Sequence, residues 1–110
     1  MRTVLPEIEN GGFIANLSAI GGERPTAGMA LYSATKAALS AVDTALAREL
    51  RARKIDVIDV RPPHTETGLA NRPVAGEPPR LPQGKAPDAV ATRVVEAIRN
   101  RERTVPADAF

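Results

Sequence analysis

These 110 residues encode an α/β fold: a parallel sheet built on a β-α-β unit, followed by a C-terminal helix and the opening of a last strand. Three observations carry that reading. Two short apolar segments, Phe13 to Leu17 and Ile55 to Val60, have the length and composition of buried strands. Between them, Met29 to Arg53 is one long run dominated by Ala, Leu, Arg, Lys and Glu, all good helix formers. Strand, long helix, strand is a crossover unit, and a connection of that length joins parallel strands.

Each element has its own signal. Val4, Leu5 and Ile8 make a short helical stripe interrupted by Pro6, and Asn10-Gly11-Gly12 stops it. Glycines bound the first strand on both sides. Gly21-Gly22 through Gly28, with Pro25 inside, reads as a loop. In the long helix Leu39, Val42, Leu46 and Leu50 recur at helical spacing and form one apolar stripe. Arg61-Pro62-Pro63 ends the second strand, because proline cannot donate to a central ladder. Mostly apolar strands point to a sheet covered on both faces.

Residues 71–87 hold five prolines and two glycines and read as a long loop, of the kind that forms lids. Pro87-Asp88 then opens a helix, proline fitting the first turn and aspartate its positive end. Val90, Val94 and Ile98 are its apolar stripe. Thr104-Val105-Pro106 reads as the start of a last strand. The length suits a single domain, residues 1–110.

Composition narrows the function. Hydrophobic content of 43% and charged content of 25% are those of an ordinary globular chain. The net charge is +2, and the cations concentrate in two clusters, Arg48 to Lys54 and Arg99 to Arg103, each at a helix end where cations suit the dipole. No aromatics interleave with them for base stacking, so no nucleic-acid partner is expected. There is no cysteine, which removes disulfides and thiolate metal sites, and one histidine builds no metal site. The N-terminus lacks the apolar core of a signal peptide, and no apolar run approaches a membrane span. A cytoplasmic protein is expected, without a membrane partner.

Tyr32 and Lys36 stand four apart at the start of the long helix, so they share a face. An ammonium beside a phenol favours the phenolate, and such a tyrosine can serve as a general acid/base near neutrality.

The surrounding motifs are more specific. GGFIANLSAIGG, then YSATKAAL, then VRPP and TETGLA, in that order and spacing, resemble the short-chain dehydrogenase/reductase family over nearly the whole chain. The resemblance implies a doubly wound, Rossmann-like sheet. It implies an oxidoreductase that uses NAD or NADP to move hydride to or from a small-molecule alcohol or carbonyl substrate. Tyr32 would protonate or deprotonate the substrate oxygen. Lys36 would support the phenolate and hydrogen-bond the nicotinamide ribose. Pro62 and Thr67 match the family's segment that lines the nicotinamide, with Thr67 on the carboxamide. The stretch from Asn71 to Pro87 falls where the family carries its variable substrate lid. A complete enzyme of this kind is expected to be a homo-oligomer.

The sequence departs from the family pattern in several places. The serine that binds the substrate oxygen usually stands thirteen positions before the tyrosine, where this chain has Ala19. Ser18 is the candidate in its place. A strand alternates faces, so Ser18 can substitute only where the strand end is bulged or already turning. Pro63 replaces a usual glycine and removes one N–H. His64 beside it reads as a loop surface residue. Lys54 stands where a glycine commonly closes the helix, and a left-handed lysine costs on the order of 1 kcal/mol.

The family's glycine-rich pyrophosphate turn, its NAD/NADP-selecting residue and its catalytic asparagine have no counterpart here. The resemblance therefore implies the C-terminal part of one Rossmann-like domain, lacking the N-terminal dinucleotide-binding half and inactive by itself. The strand at Phe13 should then present an open edge, leaving the chain marginally stable or inclined to pair. The alternative is a non-catalytic remnant or interaction module of the same fold.

Overall fold

The structure, a computed structural model, describes residues 2–110. Strand β1 (Phe13–Leu17) leads into a short helix α1 (Ile20–Glu23) and the long helix α2 (Ala30–Glu49). Strand β2 (Asp56–Val60), helix α3 (Pro87–Arg99) and strand β3 (Thr104–Val105) follow. Single 3-10 turns lie at Leu5–Glu7, Arg51–Arg53, Leu69–Asn71 and Ala107–Ala109.

The three strands form one parallel sheet in the order β1-β2-β3. Phe13 pairs with Asp56 and Leu17 with Val60, while Val60 pairs with Val105 on the other side. The central strand β2 carries the core. Alternation along it sends Val57 to one face and Ile58 and Val60 to the other. Val57 joins Ile55, Leu46 and Leu50 beneath α2, with Leu5, Ile8 and Ile14 packed around them. Ile58 and Val60 join Val105 and Ala97 beneath α3, with Val94, Ile98 and Phe110 alongside. Helices thus cover both faces, as the apolar strands require. β1 is an edge strand, and Phe13 and Leu17 on it are each about half exposed.

Four sequence expectations are revised. α2 ends at Glu49, and residues to Arg53 tighten into a 3-10 turn closed by Lys54 in the left-handed region (φ 53°). The glycine pair Gly21-Gly22 lies in helix α1 and not in a loop. A Cβ on Gly22 would stand 3.0 Å from the Ala37 nitrogen and the Lys36 carbonyl carbon, so the missing side chain lets α1 lie directly on α2. The buried stripe of α2 keeps Leu46 and Leu50, but Val42 is exposed and Asp43 is buried in its stead. At the N-terminus the helical signal reduces to one turn at Leu5–Glu7. Arg53 holds that turn, its guanidinium donating to the carbonyls of Leu5 and Ile8 and to Asn10 Oδ1.

Candidate active site

Lys36 reaches the C-terminal end of β1, with Tyr32 one turn before it on α2, and Ser18 and Pro62 follow β1 and β2. This is the edge of a parallel sheet at which α/β folds place ligands. Gly28 (φ +81°) turns the chain into α2, where Ser33 N–H closes the first bond on the Met29 carbonyl at 2.8 Å. Tyr32 therefore falls in the first turn and Lys36 one turn later.

Tyr32 lies flat against α1, close enough that a Cβ on Gly21 would touch its Cε1 at 3.2 Å. The residue stays 42% exposed. Lys36 Nζ lies 5.8 Å from the centre of the Tyr32 ring and donates to the Leu17 carbonyl at 3.2 Å. That bond ties the ammonium to the end of β1 and holds positive charge over the phenol face.

Ser18 has a different environment. Its hydroxyl is buried and lies 2.7 Å from Asp59 Oδ1 and 3.1 Å from the Val60 carbonyl, both acceptors. A hydroxyl has one proton, and here it is committed to β2. The strand end is neither bulged nor turning at this point. Ser18 N–H bonds to the Val60 carbonyl (2.8 Å) and Ile20 N–H to the Pro62 carbonyl (3.1 Å), which continues the regular alternation past Leu17. Ala19 alternates to the opposite face and is buried.

Pro62 follows β2 and its carbonyl accepts from Ile20, which fixes it against the start of α1. Thr67 is exposed, and its Oγ1 accepts from the Leu69 N–H at 3.4 Å. Past it the proline-rich stretch carries no helix or strand until Pro87. The stretch is closed at its base by a parallel bridge between Thr65 and Lys85. Glu66 Oε1 accepts from Gly84 N–H (2.7 Å) across that base, and His64 Nε2 lies 3.2 Å from the same oxygen. His64 is thus part of the strap and stands against Gly84, not beside Tyr32.

A chain of charged groups lies under α1 and α2. Arg61 pairs with Asp59 at 2.8 Å and with Glu23 of α1 at 3.2 Å, and the Asp59 carboxylate raises its pKa further. Asn16 Nδ2 donates to Asp43 Oδ1 at 2.5 Å, while Asp43 Oδ2 is buried without a partner. Burial pushes the Asp43 carboxyl above its ordinary value, the Asn16 bond opposing this and the Asp59 charge adding to it. None of these pairs is visible as a motif. The one available signal for Asp43 was an acid at the phase of Leu46 and Leu50.

Among the described residues no helix is long and apolar enough to cross a membrane, and no group of three or more His, Cys, Asp and Glu side chains could hold a metal ion.

Comparison with known proteins gives consistent matches. The family model described as short chain dehydrogenase matches residues 1–77. An uncharacterized oxidoreductase of Staphylococcus epidermidis is 32% identical over 92 residues, covering 82% of this chain and 40% of the relative. Among solved structures, a short-chain dehydrogenase from Sphingobium yanoikuyae in complex with NADPH superposes with a TM-score of 0.75 at 30% identity, over 86% of this chain and 36% of that one. A short chain dehydrogenase from Burkholderia cenocepacia in complex with NADP gives a TM-score of 0.76 at 27% identity, over 98% of this chain and 49% of that one. The chain therefore spans about 40% of the curated relative's length.

Proposed function

This chain belongs to the short-chain dehydrogenase family, and from that premise we propose that it supplies the proton-transfer end of an oxidoreductase acting on an alcohol or carbonyl substrate with NAD or NADP. The observation that carries the proposal is the Tyr32–Lys36 pair, with the lysine tethered to the Leu17 carbonyl and the tyrosine left exposed. The NADPH and NADP named in the solved relatives support a nicotinamide cofactor.

The cofactor, when bound, supplies or accepts the hydride. Tyr32 handles the proton. In the reducing direction its hydroxyl proton goes to the substrate oxygen as hydride reaches the carbonyl carbon, and the oxidising direction reverses both transfers. Lys36 stabilises the phenolate that results and would hydrogen-bond the nicotinamide ribose. Pro62 and Thr67, in the segment after β2, would line the nicotinamide, with Thr67 holding its carboxamide. Ser18, engaged with Asp59, positions β1 against β2 in this reading and needs a rotamer change to reach a substrate.

The residues present fit one end of the cofactor. Tyr32, Lys36 and the β2 exit suit a nicotinamide and its ribose, while the 110 residues contain no glycine-rich turn for the pyrophosphate. The 110 residues are therefore one part of a Rossmann-like domain and inactive alone, and turnover needs a dinucleotide-binding half. The complete enzyme is cytoplasmic and a homo-oligomer in the same reading.

Ala19 in the serine position and the proline at 63 favour a second reading, a non-catalytic remnant or interaction module. One assay separates the two. The chain is measured for NADH and NADPH oxidation with a panel of ketones and aldehydes, alone and fused behind the N-terminal half of a family relative. Turnover in the fusion that Tyr32→Phe removes supports the enzyme; a folded fusion with no turnover supports the remnant.

A further inference from the structure

The two basic clusters, about fifty residues apart in sequence, converge on one cleft. It has a volume of about 580 Å³ and lies on the α2 side of β2 and β3. Arg48, Arg51 and Lys54 line it from the end of α2 and the turn after it. Arg101 and Arg103 line it from the segment leading into β3. Cations at a helix C-terminus suit its dipole, but the dipole of α2 does not gather Arg101 and Arg103 to the same cavity.

The cleft also contains three carboxyl groups, of which Asp56 and Asp59 are paired with arginines and Asp43 is bonded through one oxygen. Asp56 is paired with Arg101 at 2.7 Å. Asp59 is paired with Arg61 and accepts from Ser18. Asp43, 3% exposed on the cleft wall, has one oxygen bonded to Asn16 and the other without a partner, and burial drives it toward the neutral form. By contrast Arg48, Arg51, Lys54 and Arg103 have no side-chain hydrogen bond or ion pair among the described residues. The uncompensated field in the cleft is therefore positive.

We propose that this cleft binds a small molecule carrying a diphosphate or two phosphate groups. Guanidinium forks match phosphate oxygens two at a time, and three arginines with one lysine suit more charge than a single phosphate carries. The volume is that of a small-molecule site.

The site is separate from the Tyr32–Lys36 pair. Arg48 is sixteen residues beyond Tyr32 on one helix, about 24 Å at 1.5 Å per residue. The cleft's cations come from the end of α2 and the segments leading into β2 and β3, while Tyr32 and Lys36 stand at the start of α2 and are not among the residues lining it. The proposal therefore stands whether or not the chain serves an oxidoreductase.

The test is a calorimetric titration of the full chain with inorganic pyrophosphate at low salt, with inorganic phosphate and a series of single-stranded oligonucleotides as the other arms. One saturable site is expected, with pyrophosphate preferred to phosphate. Arg51→Ala and Arg103→Ala should each weaken it about tenfold, and Arg103→Glu should abolish it. Arg80→Ala, in the proline-rich loop, should leave it unchanged. Circular dichroism on each variant keeps a folding defect from passing as lost binding. Absence of saturable binding at millimolar pyrophosphate, or equal loss in Arg80→Ala, overturns the proposal. Affinity that rises with oligonucleotide length, above that for pyrophosphate, also overturns it and makes the surface a nucleic-acid one.

Discussion

Ser18 and Asp59 face each other across β1 and β2, with the serine Oγ 2.7 Å from the carboxylate. The contact is buried, and the same carboxylate holds Arg61, which in turn reaches Glu23 on α1. One hydroxyl thus closes a path from the edge strand through the central strand to the helix against which Tyr32 rests.

Ser18→Ala should for that reason be a stability variant. It removes a charged hydrogen bond from a buried acceptor, which typically costs about 1–3 kcal/mol. Urea unfolding of the full chain should show the lower midpoint with an unchanged slope. A substrate-contacting serine would give the opposite pattern in a complete enzyme, a fall in kcat with the unfolding midpoint unmoved.

Tyr32→Phe isolates the phenol oxygen. The ring is partly exposed and its hydroxyl makes no hydrogen bond among the described residues, so thermal unfolding should shift by little. In the fusion with a dinucleotide-binding half, kcat should fall by roughly 10²–10⁴, the usual contribution of a positioned proton donor. Retention of turnover would remove Tyr32 from the proton-transfer role.

The glycine pair in α1 gives two different outcomes from adjacent substitutions. At Gly22 a Cβ meets the backbone of α2 at 3.0 Å, and backbone cannot move aside. Gly22→Ala should destabilise by about 1–3 kcal/mol as α1 lifts from α2. At Gly21 the first obstacle is the Tyr32 ring at 3.2 Å, which can turn. Gly21→Ala should therefore cost less in unfolding and more in turnover, because it displaces the phenol.

How the chain announces these features differs from one to the next. The strands, both long helices and the Tyr32–Lys36 spacing are local, and each was legible from a few consecutive residues, whereas the left-handed Lys54 was legible only through the family resemblance. The position of α2 on the sheet was not. Val42 and Asp43 differ by one residue, a rotation of about 100° on a helix, and the acid on the interior side meets Asn16 of β1. The α1 helix also escaped, since two glycines argue against a helix until α2 is there to pack on. The partnership of Ser18 with Asp59 and the meeting of the two arginine clusters span about forty and fifty residues, a range at which no periodicity speaks.

The strap at the base of the proline-rich loop should respond to one methyl group. A Cβ on Gly84 would lie 2.2 Å from the His64 carbonyl oxygen, a backbone atom. Gly84→Ala must therefore part residues 64–66 from 84–85 and break the bonds Lys85 makes to the His64 carbonyl and Gly84 makes to Glu66. Limited trypsin digestion should show faster cleavage after Arg80 in the variant, with hydrogen exchange in β2 unchanged. Equal cleavage rates would mean that the strap does not restrain the loop.

Asp43 sets a pH dependence whose sign is fixed by burial. Its pKa in the fold is raised above the ordinary 3.8, chiefly by desolvation. The unfolded chain thus releases this proton at lower pH than the fold does, and stability from this group is present below 3.8 and lost as pH rises through the folded value. Above pH 3.8 the burial that disfavours the charge opposes folding. Asp43→Asn keeps an oxygen to accept from Asn16 and removes that charge, so the variant should gain on the parent between the two pKa values and hold the gain at pH 7. Glu102 works in the other direction. Its bond to Arg93 lowers its pKa from 4.5, and the stability it lends is present above 4.5 and lost as pH falls through the folded value. It is untouched in the variant, so it cancels when the two proteins are compared at each pH. Denaturant unfolding of both proteins from pH 3.5 to 7 should therefore give a difference near zero at the acid end that grows in favour of the asparagine. A difference that stays flat across the range would mean that Asp43 titrates alike in the folded and unfolded chains.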